Sequence, residues 1–135
     1  MIDEIKLRDL ALAAREKAYA PYSSFRVGAA ILTKSGKVFT GQNVENASYG
    51  LSVCAERTAI FNMVGAGERS AVAVAIATDA PKPTAPCGAC RQVIREFGPD
   101  ATILLVTTSG ATATHRLRDL LPFDFGPQDL GKPQP

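Results

Sequence analysis

Three cysteines, Cys54, Cys87 and Cys90, restrict the possible folds of this 135-residue chain more than any other feature. An odd number leaves at least one thiol over in any intrachain disulfide scheme. Cys87 and Cys90 stand in Pro86-Cys87-Gly88-Ala89-Cys90. Residues three apart on a helix share a face, so two sulfurs in that spacing can reach one ion. Cys54 opens a second helical pattern, with Glu56 two positions on. On a regular helix those two side chains would diverge. They serve one site only if it lies off the helix N-terminus, where Cα–Cβ bonds tilt forward out of the helix. A helix N-terminus also lowers thiol pKa and favours anionic groups. A fold that meets all these conditions must bring two helix starts together.

Composition narrows the setting. The length predicts one domain spanning residues 1–135. A chain of that size buries enough surface to hold a core without disulfides. Fifteen Lys and Arg against 13 Asp and Glu leave a formal charge of +2, without a basic nucleic-acid arm or an acidic tail. Aromatic residues make up 7% and Trp is absent, which is sparse for a surface that stacks single-stranded bases. No segment approaches the run of about 20 apolar residues that a membrane helix needs. The start, Met1-Ile2-Asp3-Glu4, is acidic where a secretory signal would be basic. The expectation is a cytoplasmic protein with no membrane or nucleic-acid partner. In that compartment grouped thiols bind metal or do chemistry more often than they form bridges.

Hydrophobic periodicity and breakers predict the elements. Residues 3–20 read as an amphipathic helix ended by Pro21. Residues 26–32 and 37–40 read as a hairpin around Thr33-Lys34-Ser35-Gly36, and 41–53 as a polar loop. Residues 54–64 read as a buried helix stopped by Gly65, 72–78 as a central strand, and 88–97 as a helix stopped by Gly98-Pro99. A second hairpin, 102–107 with 111–115, turns at Ser109-Gly110, and a short helix covers 116–121 before Pro122. Strands alternating with helices predict an α/β domain with one sheet covered on both faces.

Three thiolates do not close a tetrahedral structural zinc site. Either the only histidine, His115, supplies a fourth ligand, or the position stays open for water, the catalytic pattern. Cys87 and Cys90 alone could instead be a redox pair, and a lone Cys54 a small core residue. His115, with Arg116 and Arg118 nearby, reads as exposed. Glu56 alone would be ordinary helix-dipole complementation. Beside a metal-bound water it is placed for general acid/base work.

The order of these motifs resembles the zinc deaminases, in which a ligand two residues before a catalytic Glu is followed by Pro-Cys-x-x-Cys. More specifically it resembles the small, three-cysteine cytidine deaminases of homotetrameric type. The resemblance runs through Tyr22-Ser23-Ser24-Phe25-Arg26-Val27-Gly28, Asn43-Val44-Glu45-Asn46-Ala47-Ser48-Tyr49-Gly50, Cys54-Ala55-Glu56-Arg57, Cys87-Gly88-Ala89-Cys90-Arg91-Gln92 and Leu120-Leu121-Pro122. It implies a three-layer α/β/α sandwich with a five-stranded mixed sheet, a homotetramer, and one Zn²⁺ per subunit on Cys54, Cys87 and Cys90. It implies pyrimidine-salvage chemistry: cytidine or 2'-deoxycytidine plus water to uridine or 2'-deoxyuridine plus ammonia, with Glu56 shuttling protons. Phe25 would stack on the base, Asn43 and Glu45 would hold the ribose, and the Ala55 backbone amide would meet the base oxygen. Phe125 would enter a neighbouring subunit's site. The chain departs from the family pattern at Ala85, where Ser is frequent, and at Phe123-Asp124, where small residues are commoner.

Three thiolates also raise an electrostatic difficulty, because their charge exceeds that of the metal and weakens its hold on a water proton. Two helix N-termini and a cation must withdraw charge from the sulfurs. The resemblance favours Arg57, while Arg91 fits a surface or interface salt bridge. Other readings are a zinc deaminase of another cytosine-bearing molecule such as a nucleoside antibiotic, a polynucleotide-editing deaminase, and a binding module with a closed zinc site through His115. The Asn43 to Asn46 segment favours an ordinary ribose, and the near-neutral charge disfavours a strand-binding enzyme.

Overall fold

The computed structural model describes residues 2–135, so of the acidic N-terminal stretch only Met1 lies outside the described residues. The chain runs α1 (Glu4–Arg15), β1 (Val27–Thr33), β2 (Val38–Gln42), α2 (Ala55–Gly65), β3 (Ala71–Thr78), α3 (Gly88–Phe97), β4 (Thr102–Thr107), β5 (Thr112–Arg116) and α4 (Leu117–Leu120), with short 3₁₀ turns at Tyr49–Leu51 and Pro127–Leu130. The strands form one five-stranded sheet in the order β2-β1-β3-β4-β5. β3 and β4 are parallel, joined through α3, and the other neighbours are antiparallel.

Alternation along the strands divides the core into two layers. Ala29, Ile31, Val74, Ile76, Ile103 and Leu105 face α2 and α3. Ala30, Ala73, Ala75, Ala77, Leu104 and Val106 face α1, which contributes Leu7 and Ala11. This is the expected three-layer sandwich around a mixed sheet. The small side chains on the α1 face let that helix lie close. At Gly28 an added Cβ would run into the backbone of Ala11 and Arg15. Gly41 does the same service on the other face, where a Cβ would meet the backbone of Ala55 and Ala59 in α2.

The two hairpins turn where expected, with Gly36 at φ +90° and Gly110 at φ +94°, a region glycine enters without steric cost. Three boundaries differ from expectation. α1 stops at Arg15, not near Pro21, because tertiary pairing takes the chain first. The Tyr19 N–H donates to the Asn43 carbonyl and its own carbonyl accepts from Glu45 N–H. The polar 41–53 segment is more ordered than a loop. Gly41 and Gln42 complete β2, and Val44 bridges Val53. Arg116, read as the start of the short helix, instead ends β5, in which His115 lies opposite Ile103.

Topology gathers one end of the sheet into a site. The start of β1 pairs with the end of β3, Val27 opposite Thr78, and with the end of β2, Gly28 opposite Gln42. The loops holding Phe25, Asn43 and Glu45, and the connection leading to Cys87, therefore emerge together. They do so at the carboxyl end of the β3–β4 parallel pair, where open α/β sheets place their ligands.

Candidate metal centre and active site

Cys54 is the N-cap of α2, Cys87 is the N-cap of α3, and Cys90 lies in the first turn of α3. Neither cap cysteine makes a side-chain capping hydrogen bond. The sulfurs instead turn toward one another, and all three Sγ atoms lie within 4.8 Å. Cys90 is buried, Cys54 half-buried and Cys87 exposed, so the group opens to solvent on one side. His115 is exposed in β5 and does not belong to the group, which removes the closed four-ligand alternative.

The donor set suits a thiophilic cation. The Cys90 thiol, donating to the Cys54 sulfur, and then the Arg57 guanidinium bring the Cys54 thiol down to about 5. The Cys90 thiol is pushed up, first because it holds that bond and then by burial. One thiolate thus forms readily, while a second is resisted for want of positive charge. An ion bound by all three would supply that charge, and Cys₃ with an open position is a zinc arrangement. The residues fit the metal.

Glu56, in the first turn of α2, is 5% exposed. Burial raises its carboxyl from 4.5 to about 7, against a backbone N–H and the Cys90 thiol that pull the other way. A carboxyl placed near neutrality in this way can both take and give a proton, and it stands beside the cysteine group. Arg57 donates from Nη2 to the Cys54 Sγ at 3.3 Å, as the charge argument requires. Its Nε is buried without a partner. Arg91 departs from the expected salt bridge. Its Nε donates to the Pro86 carbonyl at 2.7 Å and its Nη1 to the Leu120 carbonyl at 2.8 Å, so it braces the turn entering Cys87.

Phe25 is 39% exposed at the mouth of β1. The buried Asn43 carboxamide clamps this segment, accepting from Val27 N–H at 2.9 Å and donating to the Phe25 carbonyl at 2.8 Å. Glu45 Oε1 accepts from the Tyr22 and Ser23 amides at 3.0 and 3.1 Å, and Oε2 from the Ser23 hydroxyl. The Ser23 hydroxyl above all holds the Glu45 carboxyl below its usual range. Ala55, fully buried, is the first residue of α2, where backbone N–H groups lack intrahelical partners. Phe125 lies apart. It is 57% exposed on the C-terminal segment, and its carbonyl accepts from Gln92 Nε2 at 2.9 Å.

Glu45 shares a cavity of about 270 Å³ with Tyr22, Ser23, Tyr49 and Ser52. Tyr22 and Tyr49 pack as a tilted pair, ring centroids 5.8 Å apart. Sequence reasoning assigned these tyrosines no role. The signal was a large aromatic inside a polar loop, and Tyr49 is 74% exposed.

Comparison with known proteins agrees with this geometry. Residues 1–106 match the family model for the cytidine and deoxycytidylate deaminase zinc-binding region. The chain is similar to a cytidine deaminase of Halalkalibacterium halodurans, 49% identical over 121 residues, covering 89% of this chain and 92% of the relative. Its fold is similar to the crystal structure of cytidine deaminase from Burkholderia pseudomallei, with TM-score 0.88, 52% identity, and coverage of 93% of this chain and 100% of that one. The corresponding values for the Mycobacterium tuberculosis cytidine deaminase structure are 0.81, 41%, 93% and 99%. Three clustered thiols, a buried carboxyl beside them and these likenesses agree: the chain is an enzyme belonging to the cytidine and deoxycytidylate deaminase family.

Proposed function

We propose that this chain, acting as a single domain over residues 1–135, hydrolyses cytidine and 2'-deoxycytidine to uridine and 2'-deoxyuridine plus ammonia. The observation that carries the reading is the Cys54–Cys87–Cys90 group with buried Glu56 at its side. Cys54, Cys87 and Cys90 hold one Zn²⁺ per subunit. When bound there, zinc acts as a Lewis acid and makes water a nucleophile near neutral pH.

The remaining work belongs to the chain. Phe25 stacks on the pyrimidine, and the Ala55 amide donates to its carbonyl oxygen. Asn43 and Glu45 take the ribose hydroxyls. Asn43 still has one N–H and one lone pair after clamping residues 25 and 27, and Glu45 keeps a free lone pair on Oε2. As the water oxygen bonds to C4, Glu56 takes a proton and delivers it to ring N3. Glu56 then moves the second proton to the amine. The C4–N bond breaks, ammonia leaves and C4 becomes a carbonyl. Arg57 draws charge from the Cys54 sulfur and so limits the donation of three thiolates. Phe125 completes the site of a neighbouring subunit in a homotetramer. The setting is cytoplasmic pyrimidine salvage, and no described helix is long and apolar enough to cross a membrane.

The test follows the ultraviolet absorbance of cytidine and the release of ammonia, with purified protein before and after chelation. Turnover that stops on chelation and returns with Zn²⁺ is expected. No ammonia from cytidine with zinc-replete protein would sink the assignment.

A further inference from the structure

Arg95 is charged, only 7% exposed, and plays no part in the site described above. It sits in the last turn of α3, the helix whose first turn carries Cys90 and whose cap is Cys87. Each of its three guanidinium nitrogens donates to a different residue of the C-terminal segment. Nε reaches Asp124 Oδ2 at 2.5 Å, Nη1 the Gln134 side-chain oxygen at 2.7 Å, and Nη2 the Gln128 side-chain oxygen at 3.1 Å. The Gly126 backbone lies directly on the guanidinium, since a Cβ there would come within 3.0 Å of three of its atoms. Phe125, its side chain exposed, lies in the chain between the Asp124 and Gln128 anchors and is tied by its carbonyl to Gln92, one turn back on α3. Phe123, just before, has φ +53°. A bulky residue keeps that left-handed conformation only where its surroundings hold it. Asp124 is the acidic member of these anchors and forms a salt bridge with Arg95.

We propose that Arg95 is a positioning residue of the deamination reaction: it latches residues 123–128 to α3 and thereby sets where Phe125 is presented to the neighbouring active site. The same rigid helix then carries two sulfurs of its own site at one end and aims an aromatic ring from the other. The proposal rests on the role given to Phe125 above, and the experiment separates the two.

Steady-state kinetics with cytidine are compared for Arg95→Gln, Arg95→Lys, Asp124→Asn, Phe125→Ala and the double variant Arg95→Gln/Phe125→Ala. Zinc content is measured alongside. Arg95→Gln should raise KM about tenfold with kcat changed less than about threefold and zinc retained. Arg95→Lys should recover part of the loss, because an ammonium can still pair with Asp124. Asp124→Asn, at an exposed position, should raise KM in smaller measure and decides the matter if Arg95→Gln does not fold. The double variant should be no worse than Phe125→Ala alone. If Phe125→Ala raises KM while Arg95→Gln and Asp124→Asn leave it within twofold, the latch is wrong and the role of Phe125 stands. Wild-type KM in Phe125→Ala would remove the role of Phe125 and this proposal with it. A full Arg95→Gln effect persisting on top of Phe125→Ala would show that Arg95 acts elsewhere, and would also overturn it.

Discussion

Glu56 makes a thermodynamic prediction that does not depend on turnover. Burial holds its carboxyl at about 7 in the folded protein, against 4.5 for an ordinary glutamate. Below pH 4.5 both states carry the proton and the group contributes no difference. Between 4.5 and 7 the folded state keeps a proton that the unfolded state has lost, so stability falls as pH rises. Above 7 the full penalty of a buried carboxylate applies. A gap of about 2.5 pH units, at about 1.4 kcal/mol each, gives about 3 kcal/mol. Replacing Glu56 by a neutral isostere removes this dependence. The assay is urea unfolding of metal-free wild type and Glu56→Gln, followed by far-ultraviolet circular dichroism in reductant and chelator, at pH 5 and pH 8.5. Relative to Glu56→Gln, wild type should lose about 2–3 kcal/mol between the two pH values, because part of the full penalty is already present at pH 5. Stabilities that run parallel across that range would refute the argument that desolvation governs this carboxyl.

Other changes probe the neighbouring links. In the zinc-loaded enzyme Glu56→Gln should retain metal and lose at least about a hundredfold in kcat; loss of metal instead, read by atomic absorption, would make Glu56 structural. Cys90→Ser should abolish stoichiometric zinc, because it removes the buried sulfur of the three. Arg57→Ala should keep the fold by circular dichroism and move the acidic limb of the kcat/KM profile to higher pH; an unmoved limb would mean that Arg57 draws no useful charge from the sulfurs. Gly41→Ala should cost about 1–3 kcal/mol, since its methyl group would press on the α2 backbone. A wild-type melting temperature would show that α2 can yield there.

The sequence was most readable where local chemistry and tertiary role coincide. Cys54 and Cys87 mark helix starts and carry sulfurs to a common point, so the beginnings of α2 and α3 were predicted within a residue. Gly98 stops α3 as expected, and Gly36 and Gly110 turn the hairpins. Legibility ended where a backbone group is claimed by a residue distant in sequence. The helical pattern of α1 runs on past Arg15, but Tyr19 is taken by the backbone of Asn43 and Glu45, and no local rule anticipates that. Arg91 followed the same logic. Its charge suggested an acidic partner, whereas it caps two carbonyls, one of them on Leu120. Asp124 could be picked out in the sequence, but its partner, Arg95, lies 29 positions away.

The uncapped starts of α2 and α3 have a consequence for assembly of the fold. A serine or aspartate at such a position satisfies exposed N–H groups and stabilises a helix by about 1 kcal/mol. Here the two cap positions are given to thiols that leave that task undone. Binding an ion by sulfurs at both helix ends closes the chain between residues 54 and 87, and it orients both termini in one event. An ion held there would fix the starts of both helices at once. Its affinity is in part the free energy of starting them, and amide hydrogen exchange in the first turns of α2 and α3 should report metal occupancy more directly than exchange in the sheet.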